Sequence, residues 1–340
     1  MDNSTQTGST PTLVLIAAVV IILAGVKVAE PIVTPMLLSL FIVAISAPSY
    51  FWLLRYKVPA IIALLIVLAV LVIVGFGLSG LIGGSLDGFS QKLPFYQQRL
   101  GQVNSELIGF LAKLGIHVDS GVYKKLFDLG AVMGFFGTAL NSFVGALANA
   151  FFILLVVAFL LLELKSLAGK VRRISADSEK TLNDLNDFSS TLNRYFVIKV
   201  IVSFFTGLTV MIMLSLFGID YPILWGVLAF LLNFIPNIGS FIAAVPAILM
   251  ALIQFGFLTA GWVTIVYLVI NSLVGNVIEP RLLGRSLGLS SFVVFVSLVF
   301  WGWLLGPVGM FLSVPLTITL KIALESSERT EHIAVLLGSD

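Results

Sequence analysis

Phe234-Ile-Pro-Asn-Ile-Gly-Ser-Phe-Ile-Ala-Ala-Val-Pro246 and Leu304-Leu-Gly-Pro-Val-Gly-Met-Phe-Leu-Ser-Val-Pro315 are two apolar segments interrupted by Pro and Gly. Each has a break, an aromatic and aliphatic run, and then Val-Pro with its Pro six or seven residues after a Gly (Gly239 to Pro246, Gly309 to Pro315). Pro removes a backbone donor and Gly weakens a helix, so each break frees N–H and C=O groups. Such groups cannot face lipid and must be buried in protein or line a wet cavity. Two breaks in corresponding halves of a repeat point to a transporter's solute site.

The rest of the chain supplies the membrane. Its 340 residues are 59% hydrophobic and 11% charged, with a mean hydropathy of +1.11, a balance that soluble domains do not have. The strong hydrophobicity of each segment excludes an outer-membrane barrel, whose strands alternate in polarity. The expected fold is an all-α polytopic membrane protein of about eight hydrophobic segments, including two Pro/Gly-broken re-entrant hairpins in an inverted repeat. With no Cys there is no disulfide framework and no thiolate chemistry, and the dispersed basic residues make no nucleic-acid patch. No phosphate loop, zinc-ligand pair or nucleophile elbow is present, so the sequence predicts neither an enzyme nor a cofactor.

Residues 1–84 read as three spans, the first two (12–28 and 32–54) so close that a tight hairpin is expected between them. Lys27 and Glu30 mark that membrane edge. Residues 85–130 form a polar, amphipathic insert with Leu100, Val103, Leu107, Leu111 and Leu114 at helical spacing. A fourth span covers 131–162, and a linker helix covers 163–194. The transport repeat of 195–325 follows, then a tail over 326–340. Arg55, Lys57, Lys165, Lys170, Arg172 and Arg173 favour the cytoplasm, which puts both termini inside and the 85–130 insert outside. Arg281 and Arg285 also lie inside if residues 222–254 enter the membrane and return at 236–239. The short arm 222–235 suits that path better than a full crossing.

Asn233-Phe-Ile-Pro-Asn-Ile-Gly-Ser240, Gly275-Asn-Val-Ile-Glu-Pro-Arg-Leu-Leu-Gly284, Leu287-Gly-Leu-Ser290, Phe300-Trp-Gly-Trp-Leu-Leu-Gly-Pro-Val-Gly309 and Ser313-Val-Pro-Leu-Thr317 resemble the signature of the autoinducer-2 exporter family. The likeness extends over nearly the whole chain in layout. It implies a bacterial inner-membrane exporter of the quorum signal autoinducer-2, or of a similar small hydroxylated solute, working by alternating access. It also implies a homo-oligomer, a pentamer on the family's pattern, with elevator-like movement. Sodium or lithium/proton antiport is the alternative that the same resemblance carries.

A hydroxyl-rich neutral solute needs amides, hydroxyls and close backbone approach rather than a fixed charge. Asn233, Pro236, Asn237, Gly239 and Ser240 at the first break, and Gly306, Pro307 and Gly309 at the second, are the candidate lining. The competing role for the Asn side chains is interhelical hydrogen bonding. Ser272, Asn276 and Glu279, at i, i+4 and i+7, are expected on one helical face, which adds Asn276 to the lining. Glu279 is a candidate for proton or sodium coupling, or for an ion pair with Arg281 or Arg285. Trp301 and Trp303 could wall a solute, or serve as packing and interface residues.

Overall fold

In a computed structural model the described residues are 9–113, 150–174, 178–236, 238–283, 289–325 and 330–338, and they are helical throughout, with no strand among them. The helices are α1 (Ser9–Val28), α2 (Glu30–Arg55), α3 (Ala60–Lys113), α4 (Ala150–Ile174), α5 (Ser178–Leu216), α6 (Pro222–Leu232), α7 (Ile238–Phe255), α8 (Phe257–Leu273), α9 (Glu279–Leu283), α10 (Ser291–Glu325) and α11 (Glu331–Leu336). A π-helical turn, Val274–Ile278, joins α8 to α9. Six of the described helical stretches are long and apolar enough to cross a membrane. The chain is therefore an all-α, multi-pass membrane protein.

The hairpin expected at the start does not form. A single residue, Ala29 (φ −82°, ψ 3°), separates α1 from α2. Helical hydrogen bonds continue on both sides of it, from Ala29 N to Gly25 O and from Val33 N to Ala29 O, each 2.9 Å. One residue near the helical region bends a helix and cannot reverse it, so the junction is a kink. Pro31 is the cause, because its missing N–H costs the ladder one bond while the fixed φ still suits a helix start.

Helix α3 runs unbroken past residue 84. Its 54 residues span about 80 Å, far beyond a hydrocarbon core of about 30 Å, so part of it stands clear of the membrane. That extension is tied to the turn between α5 and α6. The Asp220 carboxylate accepts from Lys92 Nζ (3.1 Å) and from the Tyr96 hydroxyl (2.6 Å). Burial, then the hydrogen bond to Asp220, pushes the Tyr96 phenol above its ordinary pKa, so it stays protonated as a donor. Leu114 and residues 115–149 lie outside the described residues, as do the boundaries of the expected fourth span before Ala150.

Two chain reversals organise the C-terminal half. Helix α6 has only 11 residues, about 16 Å or half of the hydrocarbon core. The Asp220 amide at its start donates to Gln254 Oε1 near the end of α7, 34 residues on (3.1 Å), so α6 and α7 are antiparallel arms. The second reversal lies inside α10, at Gly306 (φ 66°, ψ −154°). Trp301 Nε1 donates to Thr317 Oγ1 at 3.0 Å across 16 residues, which a straight helix would hold about 24 Å apart. Helix α10 is thus two arms, 291–305 and 307–325. In sequence the first hairpin ends beside Gly256, just before α8, and the second follows α9.

The same device closes both tips. A Cβ at Gly239 would overlap the Leu232 carbonyl, and one at Gly309 would overlap the Trp301 carbonyl. Only glycine lets the returning arm pack against the backbone of the outgoing one. Gly309→Ala is expected to destabilise the purified protein by about 1–3 kcal/mol, the cost of overpacking a filled site. Gly77→Ala, in α3, where a Cβ meets nothing within 4 Å, should be neutral or stabilising by up to about 1 kcal/mol. Thermal unfolding in detergent measures both, and equal midpoints would remove the close-approach argument.

Candidate functional site

The two breaks meet, but through rings rather than freed amides. Phe234 at the first tip stacks on Phe311 just after the second, with centroids 4.5 Å apart and planes at 27°. Phe41 of α2 stands edge-on to Phe311 (5.0 Å) and to Phe196 of α5 (4.3 Å). Tyr195, Leu312, Val314 and Ile318 complete this buried cluster. Edge-to-face and offset-stacked pairs suit the ring quadrupoles, so the tips are locked by directional as well as dispersive attraction.

Polar groups ring the cluster. Asn233 is buried, and its Nδ2 donates to Ser203 Oγ of α5 at 2.9 Å, the interhelical bond that was its competing role. Pro236 is half-buried and its carbonyl accepts from Ile238 N at 2.6 Å, closing the tip. Gly239 is buried and Ser240 half-buried on the first turn of α7. At the second break Gly306 is half-buried, Pro307 exposed and Gly309 buried. Asn237 and Arg285 lie outside the described residues.

Two expectations about the Glu279 region need correction. Glu279 does not pair with Arg281, which is exposed. Its Oε1 meets Lys199 Nζ of α5 at 2.5 Å, with the Lys199 side chain 2% exposed and that of Glu279 21%. Ser272 and Asn276 do not share its face, for both are exposed while Glu279 turns towards α5. The cause is the π-helical turn before Glu279, whose wider winding breaks the i, i+4, i+7 register. Trp303 is 58% exposed, as a lipid-facing residue would be, while Trp301 is held by Thr317 as packing.

Sequence reasoning missed Lys199, yet a signal was present. It is a lone cation within Val197-Ile-Lys-Val-Ile-Val202, and a charge in a span is functional or paired by default. With Ser203 and Thr206 it makes a buried polar stripe at i, i+4 and i+7, facing the first tip. Glu30 was also missed. It sits not at an idle membrane edge but beside the second tip, where a Cβ at Gly306 would come 3.0 Å from its Oε1.

The sequence pattern described as "AI-2E family transporter" matches residues 16–329 of this chain. A Haemophilus influenzae protein named "Putative transport protein" is 44% identical over 333 residues, covering 96% of each chain. The "AI-2 transport protein TqsA" of Escherichia coli K12 is 39% identical over 326 residues, covering 96% of this chain and 95% of that one. Matches of this extent show that the chain belongs to the AI-2E transporter family.

Proposed function

We propose that the protein exports autoinducer-2, or a small neutral solute of like hydroxyl content, across the bacterial inner membrane by alternating access. The observation that carries this is the meeting of the two hairpin tips at Phe234 and Phe311. A contact between two short arms can part on one side and close on the other without exposing a full-length helix. The name of the Escherichia coli relative supports the solute class. The export direction and a homo-oligomeric assembly rest on the family resemblance. The lining in this reading is Asn233, Pro236, Asn237, Gly239 and Ser240 on one side and Gly306, Pro307 and Gly309 on the other.

Sodium or lithium/proton antiport is the second reading, and Glu279 is the residue that favours it. Its carboxylate, however, is met by a buried protein cation, Lys199, rather than left open to a mobile one. A pair of this kind holds α9 against α5. Autoinducer-2 uptake into inverted vesicles containing the purified protein tests the choice. Saturable accumulation is expected, whereas proton movement driven by sodium or lithium with no autoinducer-2 flux would establish antiport instead.

The Lys199–Glu279 pair makes a sharper demand. Glu279→Gln leaves a buried ammonium unmatched and should cost about 3–5 kcal/mol of stability. Lys199→Met combined with Glu279→Gln should recover most of that loss and keep autoinducer-2 transport with the pH dependence of the wild type. A double variant that assembles yet loses its pH dependence would make the pair a coupling site.

The orientation in this proposal puts Asp220 and the α3 extension outside and Arg281 inside, with residues 163–194 and 326–340 cytoplasmic. The Lys92–Asp220 contact supports the first pairing, since it requires both on one side. Single cysteines at 220 and 281 in this Cys-free chain should be labelled by an impermeant reagent from outside and inside, respectively. Labelling of both from one side would reject the opposed hairpins.

A further inference from the structure

Helix α11 lies across the open end of the second hairpin. At its start Thr330 Oγ1 donates to the Leu324 carbonyl at 2.7 Å, in the last turn of the 307–325 arm. Past its end the Leu337 carbonyl accepts from the Ser290 amide at 3.2 Å. Ser290 also caps the 291–305 arm, with its Oγ accepting from Val293 N at 3.2 Å. The six residues of α11 are therefore strapped to the bases of both arms. A helix this short does not form alone in water, so its surroundings have to hold it.

Around α11, at about 100° per residue, the side chains fall into three groups. Ala334 is buried and Leu337 half-buried, on the side that packs against α10. Glu331, His332 and Val335 share a second side, which carries the polar groups. Ile333 and Leu336 share the third and are 51% and 78% exposed. Ser290 fixes the depth of that third side. It directly precedes the arm whose Phe292, Phe295, Val296 and Val299 are exposed as lipid-facing residues are, Phe292 by 75%. The Ser290–Leu337 bond thus brings α11 to the level at which the lipid-facing surface of the second hairpin begins.

We propose that α11 is an interfacial helix whose partner is the bilayer surface, with Ile333 and Leu336 set in the boundary between headgroups and acyl chains. This inference holds whatever solute the protein carries. Lipid that solvates Phe292 also reaches the apolar pair, because the two lie at one depth. The side with Glu331 and His332 is turned about a third of a revolution away, where headgroups and water can solvate it. Burial in the boundary removes two large aliphatic side chains from water, which the hairpin arms alone do not do. The two hairpins are then held by different means. The first is tied at its base to α3 through Asp220, and the second to the membrane surface through α11.

Single cysteines can be placed at will in this Cys-free chain. His332→Cys, Ile333→Cys, Val335→Cys and Leu336→Cys, each carrying a nitroxide, are read in the full-length protein. Nanodiscs of phosphatidylethanolamine and phosphatidylglycerol leave both membrane faces open to reagents. The ratio of collisions with oxygen, which partitions into lipid, to those with a water-soluble nickel chelate should be at least about fivefold higher at 333 and 336 than at 332 and 335. High nickel access at all four positions would place α11 in water and overturn the proposal. Low access to both reagents at 333 and 336 would mean that protein, such as a second copy of this chain, covers that side, and overturns it equally. Should a nitroxide prevent insertion, the bare thiols serve instead. Ile333→Cys and Leu336→Cys should then react more slowly than Val335→Cys with a water-soluble maleimide and faster with a lipid-soluble one. The same order with both reagents, or equal rates, rejects the lipid contact.

Discussion

The constraint on which this architecture depends is that a helix broken inside a membrane must have its loose backbone covered by protein. Two breaks solve the problem jointly. Each tip has backbone groups that its break leaves outside the helical ladder, and each covers the other through Phe234 and Phe311. Phe41 and Phe196 extend the cover to α2 and α5. The glycines follow from the same demand. Without the backbone contacts at Gly239 and Gly309 the arms would stand further apart, and the rings could not close over the turns.

Filling the middle with aromatic rings moves the polar groups to its edge. Asn233 turns to Ser203, Lys199 to Glu279, and Glu30 to Lys27. The anchoring of the hairpins is unequal. The first is fixed at its base by Asp220, which joins α3 through Lys92 and Tyr96, α7 through Gln254 and α6 through the Trp225 indole. At the base of the second, the Ser290 amide donates to the Leu337 carbonyl beyond α11. A ligand that alters the contact between tips therefore works against a braced hairpin on one side and a differently held one on the other.

Much of this was legible from residues alone, and the failures have physical causes. The breaks and the chain reversals at them could be read because Pro and Gly act locally, whatever surrounds them. The α1–α2 hairpin was misread because a Pro after a charged pair signals interruption without giving its angle; the same Pro that ends one helix can start the next. The partner of Glu279 was misread because nearness in sequence was taken for nearness in space. Arg281 is two residues away and exposed, whereas Lys199, 80 residues distant, is held opposite by the packing of α9 on α5. The π-helical turn that rotates Glu279 away from Asn276 has no sequence signature at all, as Val-Gly-Asn-Val-Ile would also fit an ordinary helix.

The two Lys–Glu pairs bear on what can cross. The nearly buried Lys199 would cost several kcal/mol if left unmatched, and Glu279 meets it. Lys27 and Glu30 are 40% and 31% exposed, and an i,i+3 pair of that kind contributes about 0–1 kcal/mol. A mobile cation at Glu279 would therefore have to displace a buried ammonium from its partner. A neutral solute faces no such competition. It needs donors and acceptors left over after the charges have been matched. The Lys199–Glu279 pair therefore sets an energetic cost on cation binding at Glu279 that a neutral solute does not meet.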